Sequence, residues 1–318
     1  MAKTNLTVQN KPAKKKGLSL NARKSLQLGV LTIPGVIWFL VFSYIPMAGA
    51  VIAFKDYKPK RGIWGSEWVG FDNFEFLFSS NDAGRLVFNT VFHNFISIFL
   101  VAFVAVAIAV FMDLVDKRIY VKTYQTMLFL PRFISWVVVG FIGTILFHYE
   151  HGILNQVVAF FGGEAVSWYL TPKYWWFIIP AFGVWKTMGY TSLVYYGTIM
   201  GIDTQIFESA EIDGANTWGK IRHITLPLLR PTIIIMSLMS VGSIMRADFG
   251  LFYYVPNNSG SLYSVTDVLD TYIFRALRGA GDMTSSAAAG LFQSVVGLIM
   301  VVTCNTIVKK FESESALF

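Results

Sequence analysis

Six stretches of this chain, residues 28–54, 88–112, 124–148, 174–200, 224–246 and 285–308, are predominantly apolar over more than twenty residues. At about 1.5 Å of helix rise per residue, each can cross a hydrocarbon core of about 30 Å. A soluble domain rarely reaches 54% hydrophobic residues with 14% charged. The chain therefore reads as an all-α polytopic membrane protein with six transmembrane helices.

The formal charge of +7 could point to nucleic acid, but Lys3, Lys11, Lys14, Lys15, Lys16, Arg23 and Lys24 account for all of it. Residues 1–27 contain no acid, and the remainder is balanced at 19 basic and 19 acidic residues. A short basic tail ahead of the first span retains an N-terminus in the cytoplasm. With six spans both termini are then cytoplasmic, and residues 113–123, 201–223 and 309–318 lie inside. Outside the spans, the inner segments carry fourteen Lys and Arg against eight in the longer outer ones, as the positive-inside rule requires. Ala48-Gly49-Ala50 looks like a signal-peptide cleavage site, but the apolar run before it exceeds the usual stretch of about 7–15 residues. The single cysteine, Cys304, excludes a disulfide framework and a cysteine metal cluster.

The chain divides into a basic tail (1–27), a membrane domain (28–308) and a C-terminal tail (309–318), with no internal repeat. In the first outer loop, FDNFEFLF is expected to form a short amphipathic helix at the interface. Trp168-Tyr169 and Trp175-Trp176 are expected to mark the outer headgroup belt. Pro34, Pro46, Pro131, Pro180, Pro227 and Pro231 fall in the spans and predict ordinary kinks.

The polar stretch GIDTQIFESAEIDGANTWGKIRHITLP, residues 201–227, is too hydrophilic to enter lipid. Gly214, four residues, then Gly219-Lys220 looks like a phosphate loop, but Ile221 replaces the magnesium-binding hydroxyl and no strand precedes Gly214. Asp203 or Thr204 can cap a helix that places Phe207, Ala210, Gly214 and Trp218 on one face, with Glu208, Glu211 and Ala215 beside it. Asp213-Gly214 predicts a turn splitting two short helices, with the next span starting at Pro227. Such a pair suits a groove in another protein, and equally a loop on the membrane surface.

Glu208-Ser209-Ala210, three residues, Gly214, nine residues, Ile224, one residue and Leu226-Pro227 resemble the EAA signature of permease subunits in binding-protein-dependent ABC importers. Ser209 stands where that family usually has Ala. IPGVIWFLVFSYIPMAGAVIAFKDYKPKRGIWGSEWVGFDNF, FLPRFISWVVVG and GILN after His151 resemble the oligosaccharide and polysaccharide branch, alginate-type permeases included. The resemblance runs from about residue 25 to the end. It implies a type I ABC importer permease fold in a bacterial cytoplasmic (inner) membrane. Segment 203–227 would be the coupling helix, docked on a cytoplasmic ATPase that moves it on binding and hydrolysing ATP. Gly214 would then be a turn residue, and Glu208 would face the ATPase. Further partners implied are a second, different permease subunit forming a heterodimer, two ATPase subunits in all and an extracytoplasmic solute-binding protein. The chain itself would be non-catalytic, with ATP and magnesium in the ATPase subunits.

An intramembrane enzyme is one rival reading, but no HExxH, GxSxG or paired-aspartate signature occurs. His148, Glu150 and His151 form a cluster of ligand types, but the two histidines are three apart at a span's end rather than at the helical spacing of four that would aim both rings at one metal. They read as interface side chains satisfied by water. A channel or secondary transporter is the other rival; spans almost free of acid favour an external energy source.

Ionisable residues in the spans are candidates for the substrate path, because lipid makes them costly. Lys186 lies near the middle of the fourth span, with Thr187, Tyr190 and Thr191 in a polar aromatic strip that suits a saccharide. With Arg132 and Arg246 it would favour an acidic, uronate-containing oligomer; it could equally hydrogen-bond a backbone carbonyl of a partner subunit. Arg246 is within reach of an ion pair with Asp248, and Arg230 is expected to snorkel to the headgroups.

Overall fold

The computed structural model describes residues 20–75, 77 and 81–311, and it divides at residue 51 into two units. In the first, helix α1 (Leu20–Phe39) continues through a π turn at Leu40–Tyr44 into Ile45–Met47. The turn precedes Pro46, whose missing N–H and bulky ring cannot fit a regular helix. Widening the preceding turn absorbs that misfit, so Pro46 does not break the helix.

The second unit opens with a hairpin of β1 (Lys55–Asp56) and β2 (Glu67–Trp68). Helix α2 (Asn81–Asp113) follows, then α3 (Arg118–Phe129), a 3₁₀ turn at Leu130–Phe133 and α4 (Trp136–Phe147). Next come α5 (Ile153–Phe160) and α6 (Trp175–Met200). Helix α7 (Thr204–Ile212) precedes α8 (Thr217–Lys220), which passes through a second π turn, Ile221–Thr225, into α9 (Leu226–Val241). Helices α10 (Phe249–Tyr254), α11 (Leu269–Arg275) and α12 (Met283–Phe311) complete the chain.

Among the described residues, Leu28–Phe54, Asp82–Asp113, Thr217–Val241 and Met283–Lys310 are helices long and apolar enough to cross a membrane. A fifth span forms if the segments Arg118–Phe133 and Trp136–Phe147, bent by 96°, are taken together. That bend corrects the expectation of an ordinary kink at Pro131. Ser135 accepts from the Val138 amide and starts α4 as a new helix, which a mere kink would not need. The fifth apolar run is also displaced: its helix starts at Thr217 and ends at Val241, so α8 is the first turn of the span and not a separate short helix. Pro227, like Pro46, is preceded by a π turn.

Helix α6 has 26 residues but is missing from those apolar helices because Lys, Thr, Tyr, Trp and Gly dilute it. Its place is the interior. Tyr195 and Ile199 pack on Ala105 and Ala109 of α2 and Leu229 of α9, the alanines permitting close helix approach. At its other end Trp175 and Ile179 join Val139, Leu251, Phe252 and Val265. Trp175 is wholly buried and donates to the Trp168 carbonyl at 2.8 Å. The expected headgroup belt is therefore corrected at Trp175, whose ring lies in a packed aromatic group with Phe147 and Tyr169. In FDNFEFLF, Asp72–Phe74 form one 3₁₀ turn, while residues 76 and 78 lie outside the described residues, as do 1–19 and 312–318.

Candidate functional site

The segment at residues 203–227 is built from capped turns. Asp203 accepts the Gln205 amide at 3.0 Å and starts α7; Asn216 accepts the Gly219 amide at 2.7 Å and starts α8. Between them Gly214 has φ +84° with open space where a Cβ would lie. Its constraint is therefore conformational, since L-residues avoid that region. The Ala215 amide reaches the Ala210 carbonyl at 2.8 Å, closing the turn, and Lys220 meets Glu211 across it at 3.2 Å.

Phe207 and Ala210 are half-buried, while Glu208, Ser209 and Gly214 are exposed. Ser209 spends its hydroxyl on the Gln205 carbonyl. Ile224 and Leu226 are half-buried and Pro227 is exposed. The segment also presents Ile206, Ile212 and Trp218 to the outside, Ile212 at 87% exposure. The segment thus carries three exposed large apolar side chains within thirteen residues of an otherwise polar stretch.

The second element of the site is a cavity of about 210 Å³ whose lining includes Ser97, Trp136, Thr187, Thr191, Ser240 and Asp248. Trp136 donates its indole N–H to Asp248 at 2.8 Å, and the other carboxylate oxygen caps α10 through the Gly250 and Leu251 amides. Lys186, buried, does not line the cavity. Its ammonium lies 4.6 Å from the centre of the Trp136 ring and donates to the Ile134 carbonyl, the group left free where the chain bends between α3 and α4. The carbonyl partner foreseen for Lys186 is thus in its own chain. Arg132 lies over the Tyr190 ring at 5.4 Å, so Lys186, Tyr190 and Arg132 surround the same bend. Gly189 permits that closeness, since a Cβ there would collide with the Leu128 carbonyl.

Arg246 is not part of that group. It donates to Ser294 at 3.1 Å, and the expected pair with Asp248 is not formed because Asp248 is committed to Trp136 and the α10 cap.

Sequence reasoning missed the polar side chains that support this region. After α9 the backbone is irregular, and such backbone at membrane depth must find internal partners. Asn94 donates to the carbonyls of Ile244 at 2.8 Å and Arg246 at 3.0 Å. Gln293 donates to the Met245 carbonyl at 2.8 Å, and Asp270 accepts the Ala247 amide at 2.7 Å. Asn89 likewise holds the carbonyls of Ser264 and Asp267, and buried His93 holds that of Val265 at 3.0 Å. Asn89, His93 and Ser97, spaced by four along α2, are the signal that could have revealed them.

His148 and His151 stack at 5.7 Å, with Glu150 at 3.7 Å from His151. Among the described residues no three His, Cys, Asp or Glu side chains are grouped to hold a metal.

Comparison with known proteins places this architecture. Protein LplB of Bacillus subtilis is 35% identical over 301 residues, 94% of either chain. The polygalacturonan/rhamnogalacturonan transport system permease protein YteP of Bacillus subtilis is 32% identical over 304 residues, 96% of this chain and 94% of that one. In the crystal structure of a bacterial ABC transporter involved in the import of the acidic polysaccharide alginate, one chain superposes with a TM-score of 0.82 at 31% identity, covering 92% of this chain and 98% of that one. The family model for binding-protein-dependent transport system inner membrane components matches residues 105–311, from within α2 to the end of α12. The chain belongs to that family of inner membrane components, among the sugar ABC permeases.

Proposed function

We propose that this chain forms half of the translocation path of an ATP-driven importer for an acidic oligo- or polysaccharide, and takes its energy through residues 203–227. The observation that carries this reading is the Gly214 turn between two capped helices, with Ile206, Ile212 and Trp218 exposed around it. In this reading α6 is the fourth of six spans and completes their number, both termini are cytoplasmic, and the turn docks on an ATPase subunit. Glu208, Ser209, Ala210 and Gly214 form the docking face, while Ile224, Leu226 and Pro227 join it to α9. Motion of the ATPase pair is delivered to the continuous helix Thr217–Val241, whose Ser237 and Ser240 line the cavity.

The partners are a second permease subunit, two ATPase subunits that hold ATP and magnesium, and an extracytoplasmic solute-binding protein, which the family's description implies. The polygalacturonan and alginate transporters among the similar proteins support an acidic saccharide. In the path, Trp136 offers a ring face and Thr187, Thr191 and Asp248 offer hydrogen-bond partners to hydroxyls. Lys186, with Arg132 and Tyr190, positions the bend that carries Trp136, and Arg246 adds positive charge where the backbone after α9 is irregular.

Cysteine placed at Ile212 and crosslinked in native membranes tests the docking. The expected product joins this chain to an ATP-binding subunit, in a yield that changes when ATP is added. A label at Ile212 that stays accessible to water-soluble thiol reagents in the intact complex contradicts the proposal.

A further inference from the structure

The apolar helix Leu28–Phe54 leads directly into the β1–β2 hairpin, whose backbone is held by internal polar contacts. Lys55 is buried in it and donates to the carbonyls of Trp64 at 3.4 Å and Ser66 at 3.3 Å. The Ser66 hydroxyl donates to the Gly62 carbonyl at 2.7 Å and accepts the Lys58 amide. Asn73 closes the base by donating to the carbonyls of Ala53 and Lys55. Internal polar contacts therefore fix the hairpin, and its aromatic side chains keep most of their surface exposed.

Trp64, Trp68 and Phe71 are 80%, 62% and 74% exposed. Two contacts place Trp68 and Phe71 beside Phe54, where the apolar run ends in sequence. Trp68 is paired in register with Lys55, and its ring stacks on Phe54, the last residue of that helix, at 5.6 Å and 8°. Phe71 meets Phe54 edge-on at 5.4 Å. The two rings thus lie at the residue that ends the apolar run in sequence. Lys60 and Arg61 at the hairpin turn are exposed, as are Glu67 and Asp72, so the charges nearly balance and the aromatic rings dominate the surface.

We propose that the hairpin is an interfacial anchor, with Trp64, Trp68 and Phe71 lying in the lipid headgroup layer beside the end of the first span. Indole rings favour that layer because one part of the ring is apolar and the N–H remains hydrated. Long basic side chains at its edge keep their charges in water while their stems cover apolar surface. The anchor sets the depth at which the first span ends. It rests on the reading of residues 28–54 as a span.

The test uses the full chain, assembled with its transport partners in phosphatidylcholine nanodiscs, in a Cys304→Ser background. Single spin labels are placed at Trp64→Cys and Phe71→Cys, with Trp38→Cys as the mid-span reference and Glu164→Cys as the aqueous one. Collision with oxygen is compared with collision with a water-soluble nickel chelate. The expected result is oxygen exceeding nickel at 64 and 71, and the reverse at 164. Nickel exceeding oxygen at 64 and 71 overturns the anchor, and exclusion of both reagents overturns it in favour of a protein-covered surface. A water-exposed label at 38 would show that the span reading has failed, whereas lipid contact at 38 with water contact at 64 and 71 rejects the anchor alone. Trp64 contributes only its backbone carbonyl to the hairpin bonds described above, so its variant keeps the test informative if Phe71→Cys fails to fold.

Discussion

Trp136 and Asp248 share a 2.8 Å hydrogen bond from indole to carboxylate at the edge of the cavity that both line. It ties the first turn of α4 to the cap of α10, so one carboxylate organises two helix starts. Asp248→Ala removes a helix cap, a loss of about 0.5–2 kcal/mol, and a hydrogen bond to a charged group, about 1.5–3 kcal/mol. Asp248→Asn keeps an acceptor for the amides of α10. Thermal unfolding in detergent is expected to rank wild type above Asn above Ala, with Ala lowest by at least about 1 kcal/mol. Equal loss in the two variants would show that the cap and the indole bond are not what Asp248 contributes.

Lys186 supports the bend between α3 and α4 and does not line the cavity. Lys186→Met removes a part-buried hydrogen bond from a charged donor to the Ile134 carbonyl, at a cost of about 1.5–3 kcal/mol. Uptake of neutral and acidic oligosaccharides is expected to fall together, and Lys186→Arg to restore part of both. A loss confined to acidic saccharides would assign the ammonium to substrate charge.

Gly214 has φ +84° and free space around it, so a side chain there is opposed by backbone conformation and not by crowding. Gly214→Val is expected to cost about 1–2 kcal/mol at the turn and to abolish saccharide-stimulated ATP hydrolysis in the assembled transporter. Abundance in the membrane should be unchanged because the turn packs against nothing in this chain that a Cβ would reach. Normal transport by this variant would remove the turn from the coupling path.

Burial raises the Asp270 carboxyl above the ordinary aspartate range, outweighing the lowering by the Ala247 amide, the Gln293 side chain and the Arg246 charge. An acid whose pKa is higher folded than unfolded binds more protons in the folded state across that window. Stability therefore falls as pH rises from the ordinary aspartate value through the raised one, and it is greatest below both. Asp270→Asn is expected to remove this component of the pH dependence of thermal unfolding. Gln293→Leu should destabilise the fold by about 1–3 kcal/mol, by leaving the Met245 carbonyl unpaired. A pH profile for Asp270→Asn identical to that of wild type would contradict the assignment.

The long helices α2, α9 and α12 were legible because lipid demands continuous apolar runs, and Gly214 was legible because a turn pair interrupts two amphipathic stretches. The bend after Pro131 was not, since a proline in an apolar run reads as a kink until Ser135 is seen starting a new helix. Trp175 looked like a headgroup marker because composition gives ring type and not ring direction. Asn94 and Gln293 were overlooked as isolated polar residues in apolar helices; their purpose depends on Ile244, Met245 and Arg246, far away in sequence. Proximity in sequence put Asp248 within reach of Arg246, whereas the fold commits the carboxylate to Trp136.

The central claim, that ATP hydrolysed elsewhere is felt through residues 203–227, is tested most directly by purifying the tagged chain from its native membrane and measuring ATP hydrolysis. Acidic and neutral oligosaccharides are added with the solute-binding protein. The account predicts that an ATP-binding subunit and a second permease accompany the chain, and that acidic oligosaccharides stimulate hydrolysis in wild type but not in Gly214→Val. A chain that purifies alone, or hydrolysis that responds equally in the two proteins, would contradict it.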